Sequence, residues 1–474
     1  MMYWGVFGVI ALACFAIETA PKAPAEGTSG KAPATPTAAF EAFKNNYIVV
    51  YSLMMAGDWL QGPYVYALYS HYGFKEADIG RLFIAGFGSS MVFGTIVGSL
   101  ADGMGRRLMG YVYCATYIGS CVTKHFGDYN VLMLGRVLGG ISTSLLFSTF
   151  ESWVVSEHFR RRYDASWLTF TFSKAIFFGN GLVAIVCGLV ANFLVEKADL
   201  GPVAPFDVAI CVLVGGAAII ASTWTENYGD KKSDSGLMAS MREASKTIAN
   251  DRKVFLLGAI QSLFEGSMYT FVFLWTPALS PGREQIQHGM IFATFMLCSM
   301  TGSGIAGRLL QSGHAEDFLQ YVFFVAALAL AVPVACEFAL GVHYGQKTFD
   351  TTAMGMSPLG KIQYAAFLVF EVCVGIFWPS IAKLRSQYLP EETRSTVMNF
   401  FRIPLNLFVC VILFKVDSDN ISSMFTMCFF FLFLASVLMS QLAAVASKSG
   451  YVTLNSSMIS LDGEEGYERT DLDE

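Results

Sequence analysis

Arg402 stands in an apolar stretch with Asn399 three residues before it and Asn406 four after, so the three share one helical face. A guanidinium flanked by two amides offers several donors to an oxyanion, and Arg grips two oxygens at once. Pro404, in the same stretch, has no amide hydrogen and so opens the backbone beside those side chains. Lys174 and Arg136 are the other cations inside apolar runs. Carboxylates stand there too, at Asp58, Glu151, Glu265, Glu337 and Glu371. Gln61 lies about one turn from Asp58, and Gln261 one turn from Glu265, so both acids occupy polar faces. Tyr64, Tyr51, Trp59, Trp275 and Trp378 lie near these polar positions and are candidate walls of a cavity. An ionisable side chain within a bilayer costs about 2.5–3.5 kcal/mol on insertion scales, so each should serve binding, charge balance or proton movement.

Other chemistries find no support. The ten Cys fall singly inside apolar stretches, with no CxxC and no Cys/His ligand spacing, so neither a metal nor a disulfide framework is expected. No Cys/His/acid constellation or nucleotide loop appears, so neither an enzyme nor a cofactor is expected. Gly302-Ser-Gly304-Ile-Ala-Gly307 fits G-x-G-x-x-G, but no strand precedes it, and close helix packing explains it better.

The elements that position these residues are spans. Of 474 residues, 54% are hydrophobic and 14% charged, against about 25% charged in soluble domains. A net charge of −6 without a basic stripe excludes a nucleic-acid partner. Twelve apolar runs approach the roughly 20 residues that cross a bilayer. They lie near 45–69, 78–101, 108–125, 129–152, 166–195, 204–223, 253–279, 287–310, 317–343, 359–382, 395–416 and 422–447. A thirteenth run, from Met1 to Ile17, lacks a basic flank and a good cleavage site, so it reads as an anchor helix.

The expected organisation is an anchor helix and Pro/Ala-rich linker (1–43), a six-helix bundle (44–224), a central loop (225–252), a second six-helix bundle (253–447) and a disordered acidic tail (448–474). Twenty of the 31 Lys and Arg fall in the linker, the even-to-odd loops and the tail. Eight fall on the opposite side and three inside spans. The positive-inside rule therefore expects a multi-pass chain in the cell membrane with linker and tail in the cytoplasm.

The two halves match weakly. A shift of 207 places Asp58 on Glu265, and a shift of 228 places Lys174 on Arg402. After the second span, Gly98-Ser-Leu-Ala-Asp102-Gly103-Met-Gly105-Arg106-Arg107 resembles the major-facilitator loop signature G-x-x-x-D-x-x-G-R-R. Asp102 is expected to cap the next helix or pair with a facing Arg, while the glycines allow a tight turn. Arg136 with Gly139-Gly140 resembles a second signature of those carriers, and for it a structural role is expected. The corresponding site in the second half, Gly307-Arg308 to Ala315, lacks the acid and the Arg pair. The expected fold is thus an all-α polytopic membrane protein of major-facilitator type: two six-helix bundles with pseudo-twofold symmetry, plus an extra N-terminal helix.

Longer strings narrow the resemblance. Gly57-Asp-Trp-Leu-Gln-Gly-Pro-Tyr64, Gly135-Arg-Val-Leu-Gly-Gly-Ile-Ser-Thr-Ser-Leu-Leu-Phe-Ser-Thr-Phe-Glu-Ser-Trp153 and Gly201-Pro-Val-Ala-Pro-Phe206 resemble the molybdate-anion transporter family. So do Thr225-Glu-Asn-Tyr228, Phe271-Val-Phe-Leu-Trp-Thr-Pro277 and Phe401-Arg-Ile-Pro-Leu405. What the resemblance implies is molybdate uptake across the cell membrane. On that reading Arg402, Lys174, Asn399, Asn406, Gln61 and Tyr64 bind the oxyanion, with Lys174 and Arg402 facing it from the two halves. Asp58, Glu265, Glu151 and Glu371 balance charge or carry protons for symport. The alternatives are a carrier of another small anion, such as sulfate or an organic acid, and a non-transporting receptor on the same fold. The expected partners are the anion, protons and the lipid bilayer.

Overall fold

A computed structural model describes residues 2–20, 36–94, 96–228, 237–280, 286–340, 356–389, 394–414 and 421–464. Among the described residues every regular element is a helix. The first run forms α1 (Met2–Thr19). The first half comprises α2 (Ala38–Trp59), α3 (Val65–His71), α4 (Glu76–Gly94), α5 (Val97–Met104), α6 (Arg106–Thr123), α7 (Tyr129–Leu146), α8 (Thr149–Arg160), α9 (Ala165–Ile176), α10 (Val183–Asn192) and α11 (Ala204–Thr223). A linking helix, α12 (Leu237–Asn250), leads to the second half: α13 (Arg252–Leu279), α14 (His288–Ser312), α15 (Ala315–Leu340), α16 (Pro358–Tyr388), α17 (Arg394–Phe414) and α18 (Ile421–Glu464).

Local chemistry sets these boundaries. Thr37, Asp128, Asp251 and Ser357 each accept hydrogen bonds from first-turn amides of α2, α7, α13 and α16, answering donors a helix cannot pair itself. Gly62-Pro63 follows the end of α2, and the chain turns there before α3. Phe147 and Ser148 interrupt the fourth span between α7 and α8. The fifth span carries π-helical turns at Phe177–Leu182 and Phe193–Lys197, on either side of α10. Such turns widen a helix locally and recur at functional positions. Eight helices among the described residues are long and apolar enough to cross a membrane by length and composition alone. The remaining expected spans are helical too, but they break, as α2 and α4 do, or carry polar residues, as α13 does at Gln261 and Glu265.

The bundles form by close approach of small residues, as membrane helices do where no water drives association. A Cβ on Gly375 would lie 1.9 Å from the Ser299 carbonyl oxygen, and one on Gly302 2.1 Å from that of Val372. Gly302 of the G-x-G-x-x-G string therefore packs α14 on α16, while Gly304 lies against Ile17 and Glu18 at the end of α1. The halves meet where α4 packs on α17 and α10 on α14.

Two boundaries differ from expectation. The tenth span continues to Tyr388 in α16, so Arg385 is a helical residue and not part of a loop. Helix α18 reaches Glu464, well into the stretch assigned to a disordered tail, because extending a formed helix needs no new nucleation. The linker at 21–35 and the acidic end at 465–474 lie outside the described residues.

Candidate functional site

The end of the molecule carrying the α2–α3 turn is closed by aromatic contacts between the halves. Tyr66 and Phe83 meet Phe273 with ring centroids 5.4 and 5.2 Å apart. Phe87 meets Tyr269 at 5.5 Å, and Trp59 meets Phe292 at 5.9 Å. Tyr64 and Trp275 flank His288 at 5.7 and 5.9 Å. Beside them α10 and α14 cross at bare backbone. A Cβ on Gly289 would lie 2.6 Å from the Gly188 carbonyl oxygen, and one on Gly188 2.9 Å from that of Gly289.

Tyr64 belongs to this closure. It is 1% exposed, and its hydroxyl accepts from the Gly289 amide at 3.4 Å. Gln61 is also buried, and its amide donates to the Gly57 carbonyl at 2.8 Å. Both expected anion ligands are therefore occupied by protein partners in this conformation.

Deeper toward the opposite, Arg-rich end lies a cluster of charges. Glu265 is buried in α13 and accepts from the Gln261 amide at 2.8 Å. The charges of Arg385 and Arg402 both act on it. Arg385 also acts on Glu151 in the first half, an exposed side chain on α8. Arg402 is half-buried, with its guanidinium carbon 5.9 Å from the Phe147 ring, where α7 breaks. Arg402 of the second half thus approaches Phe147 of the first, and the Arg385 charge acts on carboxylates of both halves. Asn406 is buried, but its amide donates to the Arg402 carbonyl at 2.9 Å, one turn back. Asn399 lies on α17, and its side chain is outside the described residues.

A second group belongs to the first half. Asp58, near the end of α2, accepts a hydrogen bond from the Tyr117 hydroxyl of α6, and the Arg136 charge acts on it. Arg136 itself donates to the Leu82 carbonyl at 3.1 Å and lies 4.6 Å from the Phe83 ring centroid. Its guanidinium fills the space a Cβ on Gly86 would need, at 2.5 Å. It ties α7 to α4.

Lys174 is half-buried on α9, 4.7 Å from the Phe170 ring centroid. Lys44 approaches the same ring at 4.9 Å while pairing with Glu41 at 2.5 Å. The cation acting beside Arg402 is therefore Arg385, whereas Lys174 shares Phe170 with Lys44. Just beyond Lys174, the Gly179 carbonyl in the π turn accepts from the Trp59 indole at 3.0 Å, linking the fifth span to the first. Glu371 is buried in α16 near Cys298 and Cys373, and no cation among the described residues acts on it.

The loop after the second span is held by a residue the motif did not name. Glu226 accepts from the Arg107 and Leu108 amides at 2.7 and 3.1 Å, capping α6. Gly105 has φ +109° and no room for a side chain, since a Cβ there would lie 2.6 Å from the Glu226 carboxyl carbon. Arg106 donates to the Ser152 carbonyl at 3.1 Å, and Arg107 to the Ala221 carbonyl at 2.8 Å. Glu226, at the far end of the half, thus caps α6. Gly98 and Asp102 lie on α5, and the Asp102 side chain is outside the described residues.

Sequence reasoning missed Arg385, Tyr117, Phe147 and Glu226. Arg385 was legible only from a longer tenth helix. Glu226 stands in the Thr225-Glu-Asn-Tyr228 string, whose physical role the sequence did not reveal.

Comparison with known proteins agrees with this architecture. Residues 2–357 match the major-facilitator family model described as "Sugar-tranasporters, 12 TM". A molybdate-anion transporter of Xenopus laevis is 36% identical over 395 residues, 82% of this chain and 83% of that protein. That of Xenopus tropicalis is 34% identical over 469 residues, 98% of this chain and 99% of that protein. Among solved structures, the POT family transporter PepTSo is 11% identical with a TM-score of 0.64, covering 85% of this chain and 98% of that one. The xylose transporter XylE from E. coli is 11% identical with a TM-score of 0.62, over 84% of this chain and 95% of that one. These structural likenesses show the fold. With helices in each expected span among the described residues and relatives alike along most of its length, the chain belongs to the major facilitator superfamily and, within it, to the molybdate-anion transporter family.

Proposed function

We propose that this transporter imports molybdate by alternating access, with Arg402 and Arg385 holding the tetrahedral dianion between the two halves. The observation that carries this reading is the approach of the Arg402 guanidinium to Phe147 of the other half at 5.9 Å, beside a buried Glu265 whose charge interacts with those of Arg402 and Arg385. Two guanidinium groups supply the directed donors that an oxyanion accepts. In the empty site the carboxylates balance them. Asn399, Asn406 and Lys174 complete the donor set along the path, and Gln61 and Tyr64 join it when the aromatic closure opens.

The positive-inside rule places the Arg-rich end in the cytoplasm and the closure at the outer face of the cell membrane. The conformation described is then inward-facing. The loop bearing Gly98, Asp102, Gly105, Arg106 and Arg107 belongs to the gate on the cytoplasmic side.

Moving a dianion inward against about 100 mV costs about 4.6 kcal/mol, twice the cost per elementary charge. Uptake of a scarce anion therefore needs co-transported cations, most simply protons, or exchange for an internal anion, and this reading takes protons. Asp58, Glu265 and Glu151 are the proton carriers of this reading, and Glu371 is a buried reserve of charge. Vesicles held at fixed voltage test it. An inward proton gradient should accelerate molybdate uptake, and indifference to that gradient would rule out proton symport.

A further inference from the structure

Three features remain outside the transport site: the extra helix α1, the glycine string of α14, and the altered motif at Gly307-Arg308. They converge on one place. The α1 helix packs along α14. Near one end its Tyr3 ring meets Tyr364 of α16, edge to face at 6.3 Å. At its other end the Arg308 guanidinium donates to the carbonyls of Ile17 and, at 3.2 Å, Ala20. A cation at the C-terminal carbonyls answers both unpaired acceptors and the helix dipole. Gly304, one turn earlier, lets the helix come close: a Cβ there would meet Glu18 Oε1 at 2.7 Å and Ile17 Cγ2 at 3.0 Å. The Arg that the second half keeps at the altered motif is thus used to fasten α1.

Between these two fastenings α1 touches the other half. Cys14 is buried in a cluster with Ile185 of α10 and Leu297 of α14, bordered by Ile10, Ala11, Leu189, Met296 and Met300. Ile185 and Leu189 flank Gly188, the residue at which α10 crosses α14 most closely. The helix therefore lies over the seam between the halves. It is anchored to the second half and in packing contact with the first.

We infer that α1 is a strap that stabilises the conformation with the aromatic end closed. Opening that end requires α10 and α14 to part at Gly188 and Gly289. Because Arg308 and Tyr364 hold α1 on the second half, the parting draws Ile185 and Leu189 away from Cys14 and its neighbours. Contacts present in one state and lost in the other shift the equilibrium toward the first. This inference needs the two-half fold alone and is independent of which solute is carried.

The test reads opening without any substrate. Thr276, 3% exposed near the closed end of α13, is replaced in a T276C reporter. The chain is full length, in nanodiscs, with the accessible Cys211 and Cys410 changed to Ser. R308A removes the fastening, and Gly304→Leu forces α1 off by bulk. Both should raise the maleimide labelling rate of the reporter by about fivefold or more, the lower end of conformational coupling. R308K, which keeps a donor for the carbonyls, should restore the parent rate. Parent labelling rates in both R308A and Gly304→Leu would overturn the inference, as would an R308K rate equal to that of R308A.

Discussion

Replacing Arg402 with Ala should abolish molybdate uptake while leaving the amount of protein at the membrane unchanged. Losing the charge-assisted hydrogen bonds that the guanidinium would make to the anion costs about 1.5–3 kcal/mol, at least about 10-fold in apparent affinity. The guanidinium is half-buried, faces Phe147 across the halves and shares Glu265 with Arg385. Arg402→Lys keeps the charge but loses the fork that takes two oxygens together, so it should fall between wild type and R402A. A purely structural Arg402 would serve only to neutralise Glu265. In that case the double variant R402A/E265Q would regain transport, since charge and counter-charge leave together. The transport reading predicts that the double variant stays inactive. Initial rates against concentration, with surface biotinylation as the control, separate the two.

Gly289→Val should be nearly as damaging by an entirely different route. The atoms that a Cβ at Gly289 would strike are backbone: the Gly188 carbonyl oxygen and the Asn192 amide nitrogen, each at 2.6 Å. Backbone cannot swing aside as a side-chain end does, so α10 and α14 must separate. Overpacking of this kind costs about 1–3 kcal/mol where the surroundings relax, and more where they do not. The cost falls on the conformation that brings Gly188 and Gly289 together, and the rocking cycle stalls with the aromatic end open. Uptake should fall to background. The T276C reporter should label faster than in the parent, whereas an unchanged labelling rate with normal uptake would show that the crossing tolerates a side chain.

The fold was largely legible because membrane constraints are coarse. Backbone polar groups inside a bilayer must be paired, so an apolar run long enough to cross is a helix. The Lys and Arg bias then orders the loops. Less legible was anything that depends on where a helix stops. Arg385 read as a loop cation because polarity rises after Ala382, yet α16 carries it to the acids of the site. Glu226 was hidden because its partners, the amides of Arg107 and Leu108, lie more than a hundred residues away in sequence.

The repeat guided the search but did not equate its matched residues. Asp58 is hydrogen-bonded by Tyr117 and sees Arg136, whereas its counterpart Glu265 is bonded by Gln261 and sees Arg385 and Arg402. Lys174 lies on Phe170 and Arg402 on Phe147. Two halves descended from one pattern have thus been given different partners, and a shift along the sequence cannot report which neighbour folding will supply.

The central claim, that this carrier moves molybdate inward, is tested most directly by uptake in a host lacking its own molybdate importer. Cells expressing the chain should accumulate molybdenum, measured by mass spectrometry, from a molybdate-limited medium. Unlabelled tungstate should compete strongly as a tetrahedral oxyanion of matching charge and similar size, and sulfate less. Accumulation no greater than in cells carrying an empty vector, with the protein present at the surface, would contradict the account.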